Sequence, residues 1–391
     1  MTPGGVVRGD SPGPGLQVEA LVSDARRRAG APDGQRPLFL DALEALATSL
    51  DVEAHLTPEG RSAVRGALVT SLVTQLDLSR RLAEHPEIER VPIERPVFVV
   101  GLLRTGTTLV HNLLAEHPGL RCPELWELMA PAAGRGAAER RAAIAAAESY
   151  VEDYFQHARN LPAIHFMDAR RPDECTRLLA NTFSSMIFWM RYRVPGYAEW
   201  LRTRDLAPAY AYHRAQLRHV LWRIPGDVVV LKCPFHVWSL DALLTAYPDA
   251  RLVWLHRSPA AVVPSTCSLC AQVRGARSDR VDPLEIGRFW LGEVARVLDD
   301  LDGVRRPHLP GTPVLDVTYG ELMRDPIALA SRICEFIGVP MTAAADVRMR
   351  GYLAANPQHR HGVHRYTPEE FGLRAAELED RFAGYRRAFG V

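Results

Sequence analysis

Lysine is almost absent from this sequence. Lys232 is the single lysine among 391 residues, and arginine supplies every other Lys-or-Arg position. A genomic bias from Lys to Arg keeps the charge on exposed faces, so the bias by itself predicts no function. An ammonium is more compact than a guanidinium, and Arg cannot imitate it at every site. Lys232 was therefore either retained for its chemistry or left by chance.

Long apolar runs are also missing. No stretch of about 18 apolar residues occurs, which excludes a helix that spans a bilayer. The N-terminal residues are rich in Gly and Pro, whereas a signal peptide requires an apolar core at that point. We therefore expect a cytoplasmic protein.

Cysteine and net charge are both low. The six cysteines lack the density and spacing of a disulfide scaffold, and Cys267 and Cys270 form the only C-x-x-C pair. Without a second pair or a histidine cluster, we expect packing cysteines rather than a zinc or redox site. Lys plus Arg is 47 against 46 for Asp plus Glu, giving a net charge of +1. This balance excludes a global attraction to nucleic acid or anionic membrane, so any anion site must be local.

The apolar pattern predicts an α/β fold with a central parallel sheet flanked by helices. Short, continuous apolar runs are typical of buried parallel strands, and four occur, at residues 97–101, 227–231, 251–255 and 313–317. Segments with helical periodicity separate them, which favours helices on both faces of the sheet.

The regions outside the strands suggest three further parts. Residues 1–35, rich in Gly, Pro, Arg and Asp, are predicted to be a flexible arm, and 36–92 a helical cap broken at Pro58 and Gly60. The main domain then covers 93–391, with a large helical insertion at about 125–225.

The turn after the first strand is the most informative segment. Residues 101–108 read Gly-Leu-Leu-Arg-Thr-Gly-Thr-Thr and match the nucleotide-binding pattern G-x-x-x-x-G-K-[ST] except at Thr107, where the lysine should stand. Glycines let backbone N–H groups turn inward, and a helix N-terminus favours an anion. Arg104 adds a cation, and Thr105 and Thr108 add hydroxyl groups. The segment predicts a phosphate or sulfate site, while the missing lysine argues against a triphosphate.

Residues 97–114 resemble the 5′-phosphosulfate loop of the sulfotransferases, which use 3′-phosphoadenosine 5′-phosphosulfate (PAPS) as sulfuryl donor. Three later segments resemble further motifs of this family in the same order. They are a strand end with Lys232 and His236, a 3′-phosphate motif with Arg257 and Ser265, and a C-terminal segment beginning near residue 359 that is typical of bacterial members. The resemblance covers about residues 93–390 and implies a P-loop-like sulfotransferase fold with its insertion on the acceptor side. Leu103 and Cys233 depart from the usual pattern without removing a charge.

The resemblance also implies the roles of the site residues. Donor contacts are expected from the loop, the 3′-phosphate motif and the tail, at Arg104, Thr105, Gly106, Thr107, Thr108, Arg257, Ser265, Arg360 and Gly362. Lys232 and Arg104 would stabilise the charge that develops on the leaving phosphate, as in phosphoryl transfer. His236, with a reference pKa near 6.5, would be the general base.

No metal is expected, because a transferred SO3 group carries less charge than a phosphoryl group. Three tail histidines, His359, His361 and His364, lack the cysteine or carboxylate partners of a metal site.

Several alternatives stay open on sequence grounds. His165 and the Asp173–Glu174 pair lie in the insertion, where an acceptor pocket is expected, and His165 or Glu174 could be the base in place of His236. The acceptor is expected to be a small-molecule or lipid-like hydroxyl compound, with no nucleic-acid partner, and the oligomeric state is open. The competing hypotheses are a P-loop kinase or nucleotide hydrolase, and a non-catalytic nucleotide-binding module.

Overall fold

A five-stranded parallel sheet forms the centre of the fold. The computed structural model describes residues 15–32, 35–308, 311–357, 360 and 365–391. The strands are β1 (Val97–Gly101), β2 (Leu120–Arg121), β3 (Val228–Lys232), β4 (Arg251–His256) and β5 (Val314–Thr318). Their order across the sheet is β2-β3-β1-β4-β5, and every adjacent pair is parallel.

Helices cover both faces of the sheet. Before and just after β1 they are α1 (Val18–Ala29), α2 (Leu40–Glu53), α3 (Pro58–Glu84) and α4 (Thr107–Ala115). Between β2 and β3 they are α5 (Leu125–Met129), α6 (Ala137–His157), α7 (Leu161–Ile164), α8 (Thr176–Ala180), α9 (Ile187–Arg191), α10 (Pro195–Arg202) and α11 (Ala207–Arg223). The later helices are α12 (Leu240–Ala246), α13 (Pro259–Gly275), α14 (Pro283–His308), α15 (Tyr319–Arg324), α16 (Pro326–Ile337), α17 (Ala343–Ala355), α18 (Ala375–Arg381) and α19 (Ala383–Phe389). Three 3-10 turns occupy Pro86–Arg90, Pro234–Trp238 and Pro368–Phe371.

Strand β1 is buried on both faces, which explains its continuous apolar sequence. Side chains alternate across a strand. Val97 and Val99 therefore face one core, which they share with α4 and α16. Phe98 and Val100 face a second, larger core that contains residues of the N-terminal helices and of the insertion.

The predicted α/β class is confirmed, and the four predicted strands correspond to β1, β3, β4 and β5. Strand β2 was not predicted; it has only two residues, both half-buried. So short a segment carries no periodicity to detect.

The predicted break at Pro58 is present. It separates α2 from α3, where the Thr57 hydroxyl accepts a hydrogen bond from the Gly60 N–H at 2.9 Å and Pro58 takes the first helical position. Leu43 and Leu72 from these two helices lie in the same core as Phe98. The division of the chain at residues 36–92 and 93–391 stays a prediction.

The flexible arm predicted over residues 1–35 is wrong for its second half. Helix α1 packs on the N-terminal helices, with Leu21 and Ala25 fully buried. Asp24 also forms an ion pair with Arg65 of α3. The segment is rich in Gly, Pro and Arg, and Leu21 and Ala25, one helical turn apart, were too weak a pattern to predict a helix. Residues 1–14 and 33–34 lie outside the described residues.

The six cysteines are buried, and none forms a disulfide. Packing as the role of Cys267 and Cys270 stays a prediction. Among the helices described, none is long and apolar enough to span a bilayer.

Replacing Leu21 tests whether α1 is an integral part of the fold. We expect Leu21→Ala to lower the free energy of unfolding by about 2–5 kcal/mol, because it leaves a cavity in a fully buried position. The matched change Leu38→Ala, at a residue 53% exposed, should cost less than about 0.5 kcal/mol. Urea unfolding measures both, and equal small losses would mean that α1 does not dock in solution.

Candidate active site

The loop between β1 and α4 has a backbone that few sequences can adopt. Gly101, Arg104 and Gly106 all have positive φ angles, of 146°, 66° and 95°. At Gly106 the positive φ angle favours glycine, and a Cβ atom there would lie 2.6 Å from the side-chain atom Leu322 Cδ2. Helix α4 starts at the next residue, and its first N–H groups have no partner within the helix. The loop therefore presents a partial positive charge at the carboxyl end of the central strand.

Thr105 differs from the prediction for the loop. Its side chain is buried, and its hydroxyl donates to the Leu102 carbonyl at 2.7 Å, so it holds the loop together and does not line the adjacent cavity. Arg104, Gly106, Thr107 and Thr108 do line a cavity of about 480 Å³ next to the loop.

The structure brings together the two halves of the predicted donor site. The Arg104 guanidinium donates to Ser265 Oγ at 3.2 Å and to the Ile164 carbonyl at 2.9 Å. Arg257 donates to the Arg104 carbonyl at 2.8 Å, and its guanidinium lies 4.2 Å from the centre of the Tyr319 ring. Arg104 and Arg257 both line the cavity, although 153 residues separate them in the sequence.

The predicted tail residues are described only in part. Arg360 is exposed and donates to the Ala355 carbonyl and to Asn356 Oδ1, both at 2.8 Å. Asn356 lines the cavity, so Arg360 lies at its border. Gly362 and the three tail histidines lie outside the described residues.

Lys232 ends strand β3 and forms a buried ion pair. Its side chain is 1% exposed, and Nζ donates to Glu174 Oε1 at 2.9 Å. The backbone supports the pair, because the Cys175 N–H donates to the Lys232 carbonyl at 3.0 Å. Lys232 itself does not line the cavity, but its partner Glu174 does.

The neighbouring carboxylate, Asp173, is also paired. It accepts hydrogen bonds from Arg177 Nε at 3.0 Å and Nη2 at 2.8 Å. Burial alone would raise the pKa of Asp173, but Arg177 and Lys232 outweigh it and hold the pKa well below its usual range. Both carboxylates of the predicted Asp173–Glu174 pair therefore have cationic partners.

His165 lies on the same cavity at the end of α7. Burial lowers the pKa of its imidazole, and the charges of Glu174, Lys232 and Arg104 act on it as well. The neutral ring can accept a proton. Both alternative bases named from the sequence, Glu174 and His165, therefore face the cavity.

His236 does not reach the cavity, which argues against its predicted role as the base. It lies in the 3-10 turn after β3 and is 0% exposed. Its Nδ1 is bonded to Tyr210 Oη at 2.8 Å and its Nε2 to Cys175 Sγ at 3.1 Å. The position of His236 four residues after Lys232 predicted that its ring would lie at the site. The turn that starts at Pro234 instead directs the ring into the core.

The donor atoms of Cys175, His213 and His236 lie within 4.8 Å of one another. This separation would admit a metal ion, so the predicted absence of a metal stays a prediction.

Four buried histidines share one property, a pKa lowered by burial. Burial lowers the pKa of His111 and of His213 to about 3, that of His219 to about 4, and that of His236 well below its usual value. All four are therefore neutral at pH 7.

The remaining walls of the cavity were not anticipated. They include apolar side chains and two further cations from the insertion, namely Tyr150, Tyr154, Leu161, Met167, Arg177, Ile187, Met190, Arg191, Phe235, Leu269 and Val273. Met167 lies in the loop between α7 and α8, and the others come from five helices and the 3-10 turn at Pro234–Trp238. The aromatic content of the insertion was the one signal in the sequence, and it could not separate pocket residues from core residues.

A model of the sulfotransferase family matches residues 96–343 of this chain. Among named relatives, the omega-hydroxy-beta-dihydromenaquinone-9 sulfotransferase Stf3 of Mycobacterium tuberculosis is 26% identical over 316 residues, which is 76% of this chain and 77% of the relative. The corresponding protein of Mycobacterium bovis has the same identity and coverage.

Two solved structures resemble the fold over nearly its whole length. The sulfotransferase STF9 from Mycobacterium avium has a TM-score of 0.84 at 27% identity and covers 98% of this chain and 99% of its own. The sulfotransferase STF1 from Mycobacterium tuberculosis has a TM-score of 0.79 at 29% identity, with coverages of 94% and 98%. The predicted sulfotransferase resemblance and P-loop-like fold are confirmed.

The buried histidines predict a loss of stability in acid. In the unfolded chain they titrate near 6.5, so below that pH the unfolded chain binds protons that the native state excludes. Their contribution to stability is complete above about pH 6.5 and is lost as the pH falls towards 3–4. At pH 5.5 each should lower the free energy of unfolding by about 1.4 kcal/mol relative to pH 7.5.

Calorimetry in buffers of different ionisation enthalpy measures proton uptake on unfolding at pH 5.5. We expect His111→Gln to reduce that uptake by nearly one proton, because burial keeps this imidazole neutral in the native protein. Equal uptake in wild type and His111→Gln would show that His111 is protonated in the native protein.

Proposed function

This chain belongs to the sulfotransferase family, and from that premise we propose that it transfers a sulfuryl group from PAPS to a hydroxyl of a lipid-like acceptor. The observation that carries this proposal is that one cavity contains both an anion-binding loop and a proton-accepting pair, Glu174 and His165. A transferase of this kind requires the two in a common space, because donor and acceptor must meet in line.

The charge and backbone geometry of the 101–108 loop support a donor site there. The N-terminus of α4 and the Arg104 guanidinium supply a site for the 5′-phosphosulfate. Arg257 and Ser265 are proposed to hold the 3′-phosphate, since a guanidinium can clasp a phosphate through two parallel hydrogen bonds. Arg360 borders the same cavity and is proposed to complete the phosphate contacts.

The walls of the cavity and the relatives of the chain support a lipid-like acceptor. Its insertion side is largely apolar, with Met167, Ile187, Met190 and Leu269 among the residues that line it. One relative is named for an omega-hydroxy menaquinone derivative, a hydroxyl group on a lipid. Both features support a lipid-like molecule with a terminal or exposed hydroxyl.

The proposed reaction is a displacement at sulfur. The acceptor oxygen forms a bond to sulfur while the bond from sulfur to the bridging phosphate oxygen breaks, and 3′-phosphoadenosine 5′-phosphate leaves. Glu174 takes the acceptor proton, and Arg104 stabilises the negative charge on the leaving group. Lys232 is buried behind Glu174, so we propose that it positions this carboxylate instead of contacting the bridging oxygen.

The competing hypotheses are not favoured. Thr107 stands where a P-loop kinase or hydrolase has its lysine, and the family match concerns transferases of sulfuryl groups. A non-catalytic nucleotide-binding module would have no need for a proton acceptor on the cavity.

Replacing Arg257 tests the donor site. We expect Arg257→Gln to weaken binding of 3′-phosphoadenosine 5′-phosphate by about 10- to 100-fold, because charge-assisted hydrogen bonds contribute roughly 1.5–3 kcal/mol. Binding of AMP, which lacks the 3′-phosphate, should change by less than about threefold. Isothermal calorimetry measures both, with Arg374→Gln as the exposed control. An equal loss for both nucleotides would remove the 3′-phosphate assignment.

Replacing Glu174 tests the base. Glu174→Gln keeps an acceptor oxygen for Lys232 but cannot take up a proton, so kcat should fall by about 10²–10⁴. Donor affinity should stay within about threefold. The control is Glu199→Gln, at a side chain 74% exposed. If His165→Gln lowers kcat in that range and Glu174→Gln does not, His165 is the base.

A further inference from the structure

Two guanidinium groups line the insertion side of the cavity, and their partners differ. Arg177 is neutralised by Asp173 through two hydrogen bonds. Arg191, at the end of α9, donates to Tyr150 Oη at 3.2 Å. Within the described residues, no carboxylate lies at ion-pair distance from Arg191. This wall therefore carries one cation without a counter-ion.

The other cations nearby have clear structural roles. Arg277 forms an ion pair with Asp153 and lies 4.8 Å from the centre of the Tyr154 ring. Arg274 donates to the Trp189 carbonyl at 2.7 Å. Neither Arg277 nor Arg274 lines the main cavity, whereas Arg191 does. The unpaired charge thus belongs to the cavity and not to the scaffold around it.

The Tyr150 hydroxyl group lies in the positive potential of Arg177 and Arg191. Burial alone would raise the pKa of Tyr150, but Arg191 and Arg177 outweigh burial and lower it. Positive potential beside an apolar wall favours an anion, because an unpaired cation loses hydration there without compensation.

Arg191 lies on the side of the cavity away from the phosphosulfate loop. Arg177, Arg191, Tyr150 and Tyr154 line both the main cavity and a neighbouring one of about 280 Å³, to which no residue of the 101–108 loop contributes. These four side chains form the partition between the two spaces. Apolar residues of α9, Ile187 and Met190, line the main cavity beside them.

We propose that Arg191, with the Tyr150 hydroxyl, forms a carboxylate subsite in the acceptor chamber, and that the acceptor is an amphipathic hydroxy acid. Its hydroxyl is presented to Glu174, its apolar part packs on the insertion helices, and its carboxylate pairs with the Arg191 guanidinium. This deepens the proposed function and rests on it, because the reacting hydroxyl is placed by the sulfotransferase assignment.

The first experiment measures binding without requiring turnover. Decanoate and 1-decanol are titrated by calorimetry into the protein saturated with 3′-phosphoadenosine 5′-phosphate. Wild type should bind decanoate at least tenfold more tightly than decanol, and Arg191→Gln should remove this preference while leaving decanol affinity within about threefold. The tenfold minimum corresponds to about 1.4 kcal/mol.

Two further variants keep the binding test decisive. Arg191→Lys retains the charge and should keep part of the preference even if Arg191→Gln unfolds. Arg204→Gln, at an exposed arginine on the same chain, should behave as wild type. A wild-type protein that binds decanoate no more tightly than decanol, or a preference that persists in folded Arg191→Gln, would overturn the subsite.

A second readout separates this inference from the proposed function. If both are correct, wild type sulfates 10-hydroxydecanoate with a higher kcat/KM than 1-decanol, and Arg191→Gln loses the difference. Arg191-dependent binding of decanoate without sulfation of either alcohol would support the subsite while contradicting the proposed transfer reaction. Sulfation of both alcohols with equal kcat/KM would support the transfer reaction and contradict the subsite.

Discussion

The buried ion pair between Lys232 and Glu174 joins the sheet to the insertion. Lys232 ends β3, and Glu174 precedes α8 across 58 residues of sequence. A cation that is 1% exposed needs a partner with good geometry, because desolvation costs several kcal/mol per ion. That requirement holds the segment 173–175 against the strand end. It also places a carboxylate on the cavity, so the same interaction that satisfies the interior positions the proposed base.

Some charged side chains around the cavity form ion pairs, whereas other cations there have no carboxylate partner among the described residues. Asp173 balances Arg177, and Glu174 balances Lys232. Arg104 and Arg257 instead donate hydrogen bonds to a hydroxyl group and to backbone carbonyls. Excess positive charge at the loop suits a donor with two anionic groups, and the excess at Arg191 suits an anionic end on the acceptor. The net charge of +1 for the whole chain conceals this local distribution.

Neutral histidines fill much of the polar interior beneath the site. His236 and His213 hydrogen-bond to the buried hydroxyl groups of Tyr210 and Tyr247, since buried polar groups need partners. The low pKa values of these imidazoles follow from the same burial. His236 is therefore part of the scaffold, while the carboxylates and the histidine on the cavity, Asp173, Glu174 and His165, come from the insertion.

Sequence alone determined the class of the fold and predicted the donor side of the site. Buried parallel strands and the glycine loop are local patterns, because alternation, apolar runs and positive φ angles depend on neighbouring residues. The family resemblance placed Arg104, Arg257 and Ser265 for the same reason. The acceptor side was decided by tertiary structure. Whether His236, His165 or Glu174 faces the cavity, and whether Arg191 has a counter-ion, depends on how seven insertion helices pack, and no spacing along the chain encodes that packing.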